Sequence, residues 1–377
     1  VKVLITGASG FLGGHLTEVF LEAGHSVRAL VRRTSRTEKL KKLGVDIVVG
    51  DLKDEEALRT AVDGVQVVVH AASTMAGVPE EYREATIRGT RRLLGAAQEA
   101  GVRRFVHISS IGVHRLGSAS GQAVTEESPY ETAPALLTTY VKSKIGSEEG
   151  ALEAAEAGGL ELVVVRPGLL YGPGGNWNLP RMGYAFGGGV YVIVGNGGNV
   201  LPVCYVHNCA AAVLRAAEAE GVAGQAFNVV DDERFTQSEY LKRLKAEARP
   251  RLKILRMPYP LARALGWCFG LGMRLLGRGN PFHPAHMIAC HRRLTYSNER
   301  AKQVLGWRPQ TGREEALAAT MSAIAARERL SRRADIRVLG RAPAGYPPLK
   351  ACIVGCGVIA REHLGFLGRM KNARVVA

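Results

Sequence analysis

VKVLITGASGFLGG, residues 1–14, decides how the rest of the chain is read. An apolar run, Val1–Thr6, leads without a break into three glycines spaced 7, 10 and 13, and then into an apolar helical pattern, Phe11–Ala23. Gly7 permits a tight turn, Gly10 lets an anion approach a backbone without Cβ, and Gly13 lets the helix pack closely on the strand. The helix N-terminus then presents free N–H groups and a partial positive charge to a pyrophosphate. Gly7, Ser9, Gly10, Phe11, Leu12 and Gly13 are therefore the expected contacts of a dinucleotide.

Working outward, Val/Ile-rich runs alternate with helical patterns. Strands are predicted at Ser26–Val31, Val45–Val49, Gln66–His70, Arg104–Ser109, Leu160–Arg166 and Phe227–Val230, and helices at Glu80–Ala100 and Tyr140–Ala157. Strands that are apolar throughout and separated by helices indicate a parallel sheet covered on both faces. The expected fold is α/β, a doubly wound parallel sheet of Rossmann type, with a smaller and mostly helical C-terminal substrate lobe. Residues 1–167 form the cofactor part and 168–325 the substrate lobe, whose glycine-rich start (168–224) reads as substrate loops. Residues 326–348 read as a fraying helix end and basic linker. Residues 349–377 carry a strand, a GxGxxA turn and a helix, the opening of an incomplete second dinucleotide-binding domain. A unit that short cannot bury a core alone, so the sequence reads as a fragment of a longer polypeptide.

The second strand ends at Arg32-Arg33, where a cofactor without a 2′-phosphate would meet an acid. Arginine suits a 2′-phosphate, which favours NADP with NAD possible. Lys39 could add charge, and Asp51-Leu52 after the third strand could contact the adenine. Tyr140 and Lys144 lie four apart on one helix face. An ammonium there would lower a phenol's pKa and could hold a ribose. Ser110, with Ser109 as the weaker choice, ends the fifth strand and could hold a substrate oxygen beside Tyr140. The three catalytic candidates Ser110, Tyr140 and Lys144 form a proton relay for hydride transfer at a carbonyl carbon.

TGASGFLGG (6–14), GDL (50–52), HAAS (70–73), HISS (107–110), YVKSK (140–144), RPGLLYGPG (166–174), YVHN (205–208) and LGW (305–307) together resemble the extended short-chain dehydrogenase/reductases, the NAD-dependent epimerase/dehydratase family, over residues 1–325. The resemblance implies that Tyr140 is the acid/base, Lys144 its partner and Ser110 the substrate-oxygen ligand. It implies that Ala71, Ala72 and Ser73 line the cofactor cleft and that Pro167 and Gly168 lie on the nicotinamide side. VRALVRR (26–33 region) is similar to the dihydroflavonol reductases, and GNGGNVLPVCYVHN (195–208) to the 3β-hydroxysteroid dehydrogenase branch. Thr86 stands where the family often has Asn, and no Arg occurs in 199–205, where nucleotide-sugar members usually place one. The tail (350–377) resembles the start of Gfo/Idh/MocA oxidoreductases. The implied activity is hydride exchange between nicotinamide and a secondary alcohol or ketone. The alternatives are a nucleotide-sugar epimerase or dehydratase, and a non-catalytic dinucleotide sensor. A homodimer is a possible assembly.

The 377 residues, 46% hydrophobic and 22% charged, fit a globular protein rather than a disordered one. The net charge of +16 favours acidic partners without choosing among them. The arginines between 327 and 341 lack interleaved aromatics, so a small-molecule substrate and no nucleic acid are expected. The most apolar stretch, 258–277, is interrupted by Arg263 and Arg274; it reads as an amphipathic helix on the body, with a membrane-surface contact as the minor reading, and not as a transmembrane segment. The six cysteines form no CxxC pairs, and no signal peptide is visible; both suggest a cytoplasmic protein with reduced thiols. His283, His286 and His291 cluster without the ligands zinc would want, so no metal is expected. His207, Trp177 and Tyr184 are read as either pocket or packing residues.

Overall fold

The computed structural model describes residues 1–74, 78–115, 123–134, 136–186, 189–275, 282 and 284–336. The chain divides into two compact units, Val1–Ala326 and Arg327–Ala377. Of the second, the described residues are the helical ones up to Ile336; the second turn expected at 349–377 lies outside the described residues.

The strands are β1 (Lys2–Thr6), β2 (Ser26–Val31), β3 (Asp46–Val49), β4 (Val67–His70), β5 (Arg104–Ile108), β6 (Glu161–Pro167), β7 (Leu169–Tyr171), β8 (Tyr184–Phe186), β9 (Val190–Val194), β10 (Val203–Tyr205), β11 (Ala226–Val229) and β12 (Lys253–Met257). The helices are α1 (Phe11–Glu22), α2 (Glu38–Lys42), α3 (Glu55–Val62), α4 (Pro79–Tyr82), α5 (Gly89–Glu99), α6 (Thr139–Gly158), α7 (Val206–Glu218), α8 (Gln237–Glu247), α9 (Tyr259–Leu275), α10 (Pro284–His291), α11 (Glu299–Val304) and α12 (Arg313–Ile336).

Seven strands form one sheet in the order β11-β6-β5-β4-β1-β2-β3, every pairing parallel. The order reverses between β1 and β4. In such sheets ligands bind at the carboxyl ends of the strands at that switch point. Side chains alternate across the pleat. Val3 and Ile5 join Val67, Val69, Val106 and Val163 in a core shared with Leu16 and Phe20 of α1 and Val213 of α7. Leu4 joins Val68, Phe105 and Val164 in a second core with Leu58 of α3 and Leu93 and Leu94 of α5. Both faces are thus sealed, which is why the middles of these strands are apolar on both sides, with the polar residues mostly at their ends.

The helix expected over 80–100 is interrupted. A π-helical turn, Arg83–Arg88, separates α4 from α5. Asp54 caps α3 and Thr138 caps α6, each accepting from a backbone N–H three residues on.

The glycine-rich start of the lobe, expected as loops, carries strands. β7 pairs with β10, and β8, β9 and β12 form a separate three-stranded sheet. These strands are three to five residues long, too short for alternation to stand out against the glycines between them. Their core holds Tyr171, Tyr191, Phe235, Tyr240 and Met321. α12 runs through Ile336, so residues 326–336 of the stretch read as a linker are helical. That segment is rich in Arg and contains no Gly or Pro, a composition that sustains a helix. Among the described residues, no helix is long and apolar enough to cross a membrane.

Candidate active site

The glycine turn sits at the switch point. Gly7 has φ +75°, a conformation that suits a residue without Cβ. A Cβ there would lie 2.8 Å from the Ala72 nitrogen, so the turn rests directly on the backbone that follows β4. A Cβ on Gly13 would come within 2.0 Å of the Gly7 carbonyl oxygen. Only glycine lets α1 begin this close to β1. No side chain caps the N-terminus of α1, and its first turn has no acidic residue. Ser9 and Gly10 are exposed at this end, and Phe11 and Leu12 are half-buried. Phe11 packs on Gly175, whose Cβ would sit 2.8 Å from the ring.

Because the sheet is parallel, the other candidate contacts reach the same edge. Arg32 and Arg33 are exposed just after β2. Asp51 and Leu52 follow β3; the Asp51 carboxylate accepts from the Lys53 N–H at 3.2 Å, and Leu52 packs on Gly89. Ala71, Ala72 and Ser73 are half-buried after β4, and the Ser73 hydroxyl is enclosed without a hydrogen-bond partner among the described residues. Pro167 ends β6 and Gly168 follows it. Gly168 admits the Pro202 carbonyl, which would be 2.5 Å from a Cβ. The uncapped helix end, the glycine cradle and the open Ser73 hydroxyl suit a dinucleotide.

Ser110 leaves β5 in an extended conformation and caps a short 3₁₀ turn, accepting from the Gly112 N–H at 3.1 Å. Its hydroxyl also stands near enough to the phenol of half-buried Tyr140, in the first turn of α6, to favour the phenolate. One turn on, the Lys144 amine is buried and donates to the Ile108 carbonyl at 2.8 Å. Burial pushes its pKa down to about 8, while the Glu148 carboxylate opposes that shift. The expectation that Lys144 would lower the Tyr140 pKa is not met here. Burial raises the phenol, the nearby Ser110 hydroxyl works against that rise, and neighbouring Tyr82 adds to it.

Ser109 and Ser110 part company at the end of β5. The Ser109 hydroxyl turns inward and donates to Glu148, so the weaker choice for the substrate oxygen is committed elsewhere. Glu148 is fully buried, lies four residues beyond Lys144 on α6, and also accepts from the Tyr130 phenol at 2.8 Å and from Arg166 Nε at 2.9 Å. Arg166 in turn donates to the Glu126 carbonyl at 3.0 Å. This buried ion pair ties α6, β6 and the end of β5 together beneath the hydroxyls. A second chain runs from the glycine turn: Thr6 shares a hydrogen bond with His70 at 2.7 Å, and His70 with Thr90 at 3.0 Å. Burial, helped by the Lys144 charge, lowers His70 to about 3 and puts His107 well below its usual value, so both imidazoles are neutral.

Neither chain was anticipated from sequence. Glu148 had a signal, since it continues the Tyr140–Lys144 spacing by one more turn. Arg166 and Tyr130 are joined to it only by the fold. The other residues singled out have packing partners. His207 meets His15 edge-on and Tyr205 at a tilt, Trp177 meets Tyr191 edge-on and lies under the Arg249 guanidinium, and Tyr184 meets Phe282 at a tilt and His286 edge-on. His291 stacks on Tyr259, and His283 lies outside the described residues. Asn208 accepts from the backbone of Gln310 and Thr311, and its own carbonyl accepts from Trp307, fastening YVHN to LGW.

A profile of the NAD dependent epimerase/dehydratase family matches residues 3–229. The chain belongs to that family. It is an NAD(P)-dependent oxidoreductase of the extended short-chain dehydrogenase/reductase type. A 2-alkyl-3-oxoalkanoate reductase from Stenotrophomonas maltophilia is 31% identical over 328 residues, covering 84% of this chain and 97% of the relative. A 3-beta-hydroxysteroid dehydrogenase from Mycolicibacterium neoaurum is 30% identical, over 84% of this chain and 89% of the relative. Among solved structures, gox2253 superposes with a TM-score of 0.72 at 25% identity, covering 87% of this chain and 99% of that one. A UDP-glucose 4-epimerase from Thermus thermophilus, solved with NAD, gives 0.65 at 23% identity, over 86% and 99%, and shares the fold.

Proposed function

We propose that this family member reduces the ketone of a large, apolar substrate with NADPH, residues 1–167 holding the coenzyme and 168–325 the substrate. The observation that carries the reading is the meeting of two hydroxyls, Ser110 and Tyr140, at the carboxyl edge of the sheet, one helical turn from a buried amine. When bound, the nicotinamide supplies or takes up the hydride. Ser110 holds the substrate oxygen, and Tyr140 gives it the proton that completes the alcohol. Lys144 has its amine fixed on the Ile108 carbonyl and is set to hold a ribose hydroxyl. Gly7, Ser9, Gly10, Phe11, Leu12 and Gly13 would cradle the pyrophosphate, Asp51 and Leu52 the adenine, and Ala71, Ala72, Ser73, Pro167 and Gly168 the rest of the coenzyme.

Arg32 and Arg33 support the preference for NADP. Both are exposed after β2, and among the described residues neither forms an ion pair. Substrate size is supported by the relatives, whose names specify an alkylated oxoalkanoate, a steroid and, in a 28% identical ketoreductase from Stigmatella aurantiaca, a farnesylated quinoline oxide. The stretch 199–205 has no Arg to meet a nucleotide-sugar diphosphate.

The test is NADPH consumption with a 2-alkyl-3-oxo acid, a 3-ketosteroid and UDP-glucose, with NADH in parallel. Turnover of one of the first two is expected, and Tyr140→Phe should lose about 10²–10⁴-fold in kcat while still binding NADPH. Conversion of UDP-glucose without net NADPH oxidation would replace this reading with the epimerase one. A Tyr140→Phe enzyme of full activity would remove the phenol from the chemistry.

A further inference from the structure

Helix α9 packs the wrong way round for a helix on the surface of a soluble protein. Such helices turn their large apolar side chains inward. In α9 the buried stripe is Ala262, Gly266 and Gly270, while Leu261, Leu265, Trp267 and Phe269 are 46–71% exposed. The small stripe has a packing reason. A Cβ on Gly266 would lie 3.0 Å from the end of the Met287 side chain, so glycine lets α9 settle onto α10. Phe269 meets the Phe282 ring edge-on at 5.2 Å, and Leu261, Leu265 and Trp267 have no such account among the described residues.

The apolar surface continues onto the sheet beneath. In the β8-β9-β12 register, Phe186 and Lys253 flank Val190, while Tyr184 and Leu255 flank Val192, so all four point to one face. Tyr184 identifies that face as the one carrying Phe282 and α10. Phe186 and Leu255 on it are 46% and 55% exposed. Every exposed Phe or Trp among the described residues, namely Phe186, Trp267 and Phe269, lies on α9 or on this face of the small sheet, and Phe186 and Phe269 both meet Phe282.

Its charge is one-sided. No Asp or Glu occurs between Glu247 and Glu299, a stretch that contains nine Lys and Arg. Arg251 and Lys253, on the β12 side, and Arg263, on α9, are exposed and form no ion pair among the described residues. Leu, Phe and Trp beside Arg and Lys, with no acid, are the composition of a helix lying in a membrane interface. A water-soluble protein partner would gain little from Trp267 and the leucines unless it brought acids of its own; an anionic bilayer supplies both the apolar depth and the negative surface.

We propose that α9 and the adjoining face of the β8-β9-β12 sheet dock this enzyme on an anionic lipid bilayer, with Leu261, Leu265, Trp267 and Phe269 entering the headgroup boundary and Arg251, Lys253 and Arg263 on the phosphates. This surface is independent of the chemistry assigned to Tyr140. It would bring the substrate lobe to where apolar substrates partition.

The experiment is partitioning of the full chain onto vesicles of phosphatidylcholine alone and of an equal mixture with phosphatidylglycerol. At roughly fivefold per interfacial cation, three cations give about a hundredfold preference for the anionic vesicles at low salt, which high salt should erase. Trp267 emission should shift to the blue and be quenched by brominated lipid; Trp307 is 2% exposed and should not respond. Trp267→Glu should cut binding at least about tenfold with NADPH affinity and melting temperature unchanged. Equal binding to both vesicles, or anionic binding without bromolipid quenching, overturns the proposal. So does sedimentation that shows a dimer dissolved by Trp267→Glu, since the face would then be taken by a second copy. Should that variant fold poorly, the salt dependence and quenching of the wild type still decide.

Discussion

Val3, Ile5, Leu16 and Phe20, around the glycine turn, are fully buried; Leu265 and Trp267, in the substrate lobe, are 50% and 71% exposed. The two regions also place charge in opposite ways. The sheet half encloses Lys144, Glu148, Arg166, His70 and His107, each answered by a hydrogen bond or held neutral. The α9 flank carries its cations at the surface beside its largest apolar groups. A region that orients a nicotinamide and a proton donor must be rigid and dry, and buried, satisfied polar groups are how a close-packed sheet supplies that. A region that admits a bulky substrate or meets another phase can leave apolar area uncovered.

The sharpest way to break this comparison is to unbalance the buried pair. Glu148→Gln leaves the Arg166 guanidinium, 4% exposed, without a counter-charge and keeps only one of the two oxygens that accept from Ser109 and Tyr130. Removing one partner of a buried ion pair costs about 3–5 kcal/mol. Urea unfolding should show a loss of that size, partly recovered by adding Arg166→Met. A loss below about 1 kcal/mol would mean that water reaches the pair and the sheet half is not as dry as its packing implies.

The pH dependence of Lys144 tests the same dryness more gently. Its folded pKa, about 8, is below the ordinary 10.5, so folding favours the neutral amine. The stability it contributes is present above about 10.5 and lost as pH falls through about 8. Lys144→Met removes this dependence. Between pH 10 and pH 7 the wild type should therefore lose on the order of 2–3 kcal/mol relative to the variant. Equal pH slopes would show an amine that stays solvated.

How much of each region could be read beforehand follows from the range of the forces that shape it. The glycine turn, the seven sheet strands and the Tyr140/Lys144 spacing are local patterns, and residues within a few positions of one another write them. The Glu148–Arg166 pair joins residues 18 apart, and its Tyr130 and Glu126 contacts arise only when β5, β6 and α6 meet. The same holds for Ser109: nothing local tells it from Ser110 until the carboxylate beneath it is in place. The strands β7 to β10 were hidden because short segments between glycines have too few residues for a period of two to emerge. For α9 the sequence indicates an amphipathic helix on the body, with a membrane-surface contact as the minor reading, and which side faces inward is decided by Gly266 against Met287, twenty-one residues away.

That reversal sets the smallest expected effect. Leu265→Gln changes a half-exposed side chain on the outward face of α9 to one of similar length and similar helix propensity, and should move stability by no more than about 0.5 kcal/mol. Leu16→Ala, at a fully buried position of α1, should cost about 2–5 kcal/mol in the same urea titration. A ratio near one between the two would mean that Leu265 is covered in the protein as it exists in water, either by a second chain or by a segment folding back. In that case the outward face of α9 would be an internal surface rather than an open one. A large ratio leaves Leu265 solvated at rest, and a hydrophobic group kept solvated on a helix whose small residues face inward is available for an apolar partner at no cost to the fold.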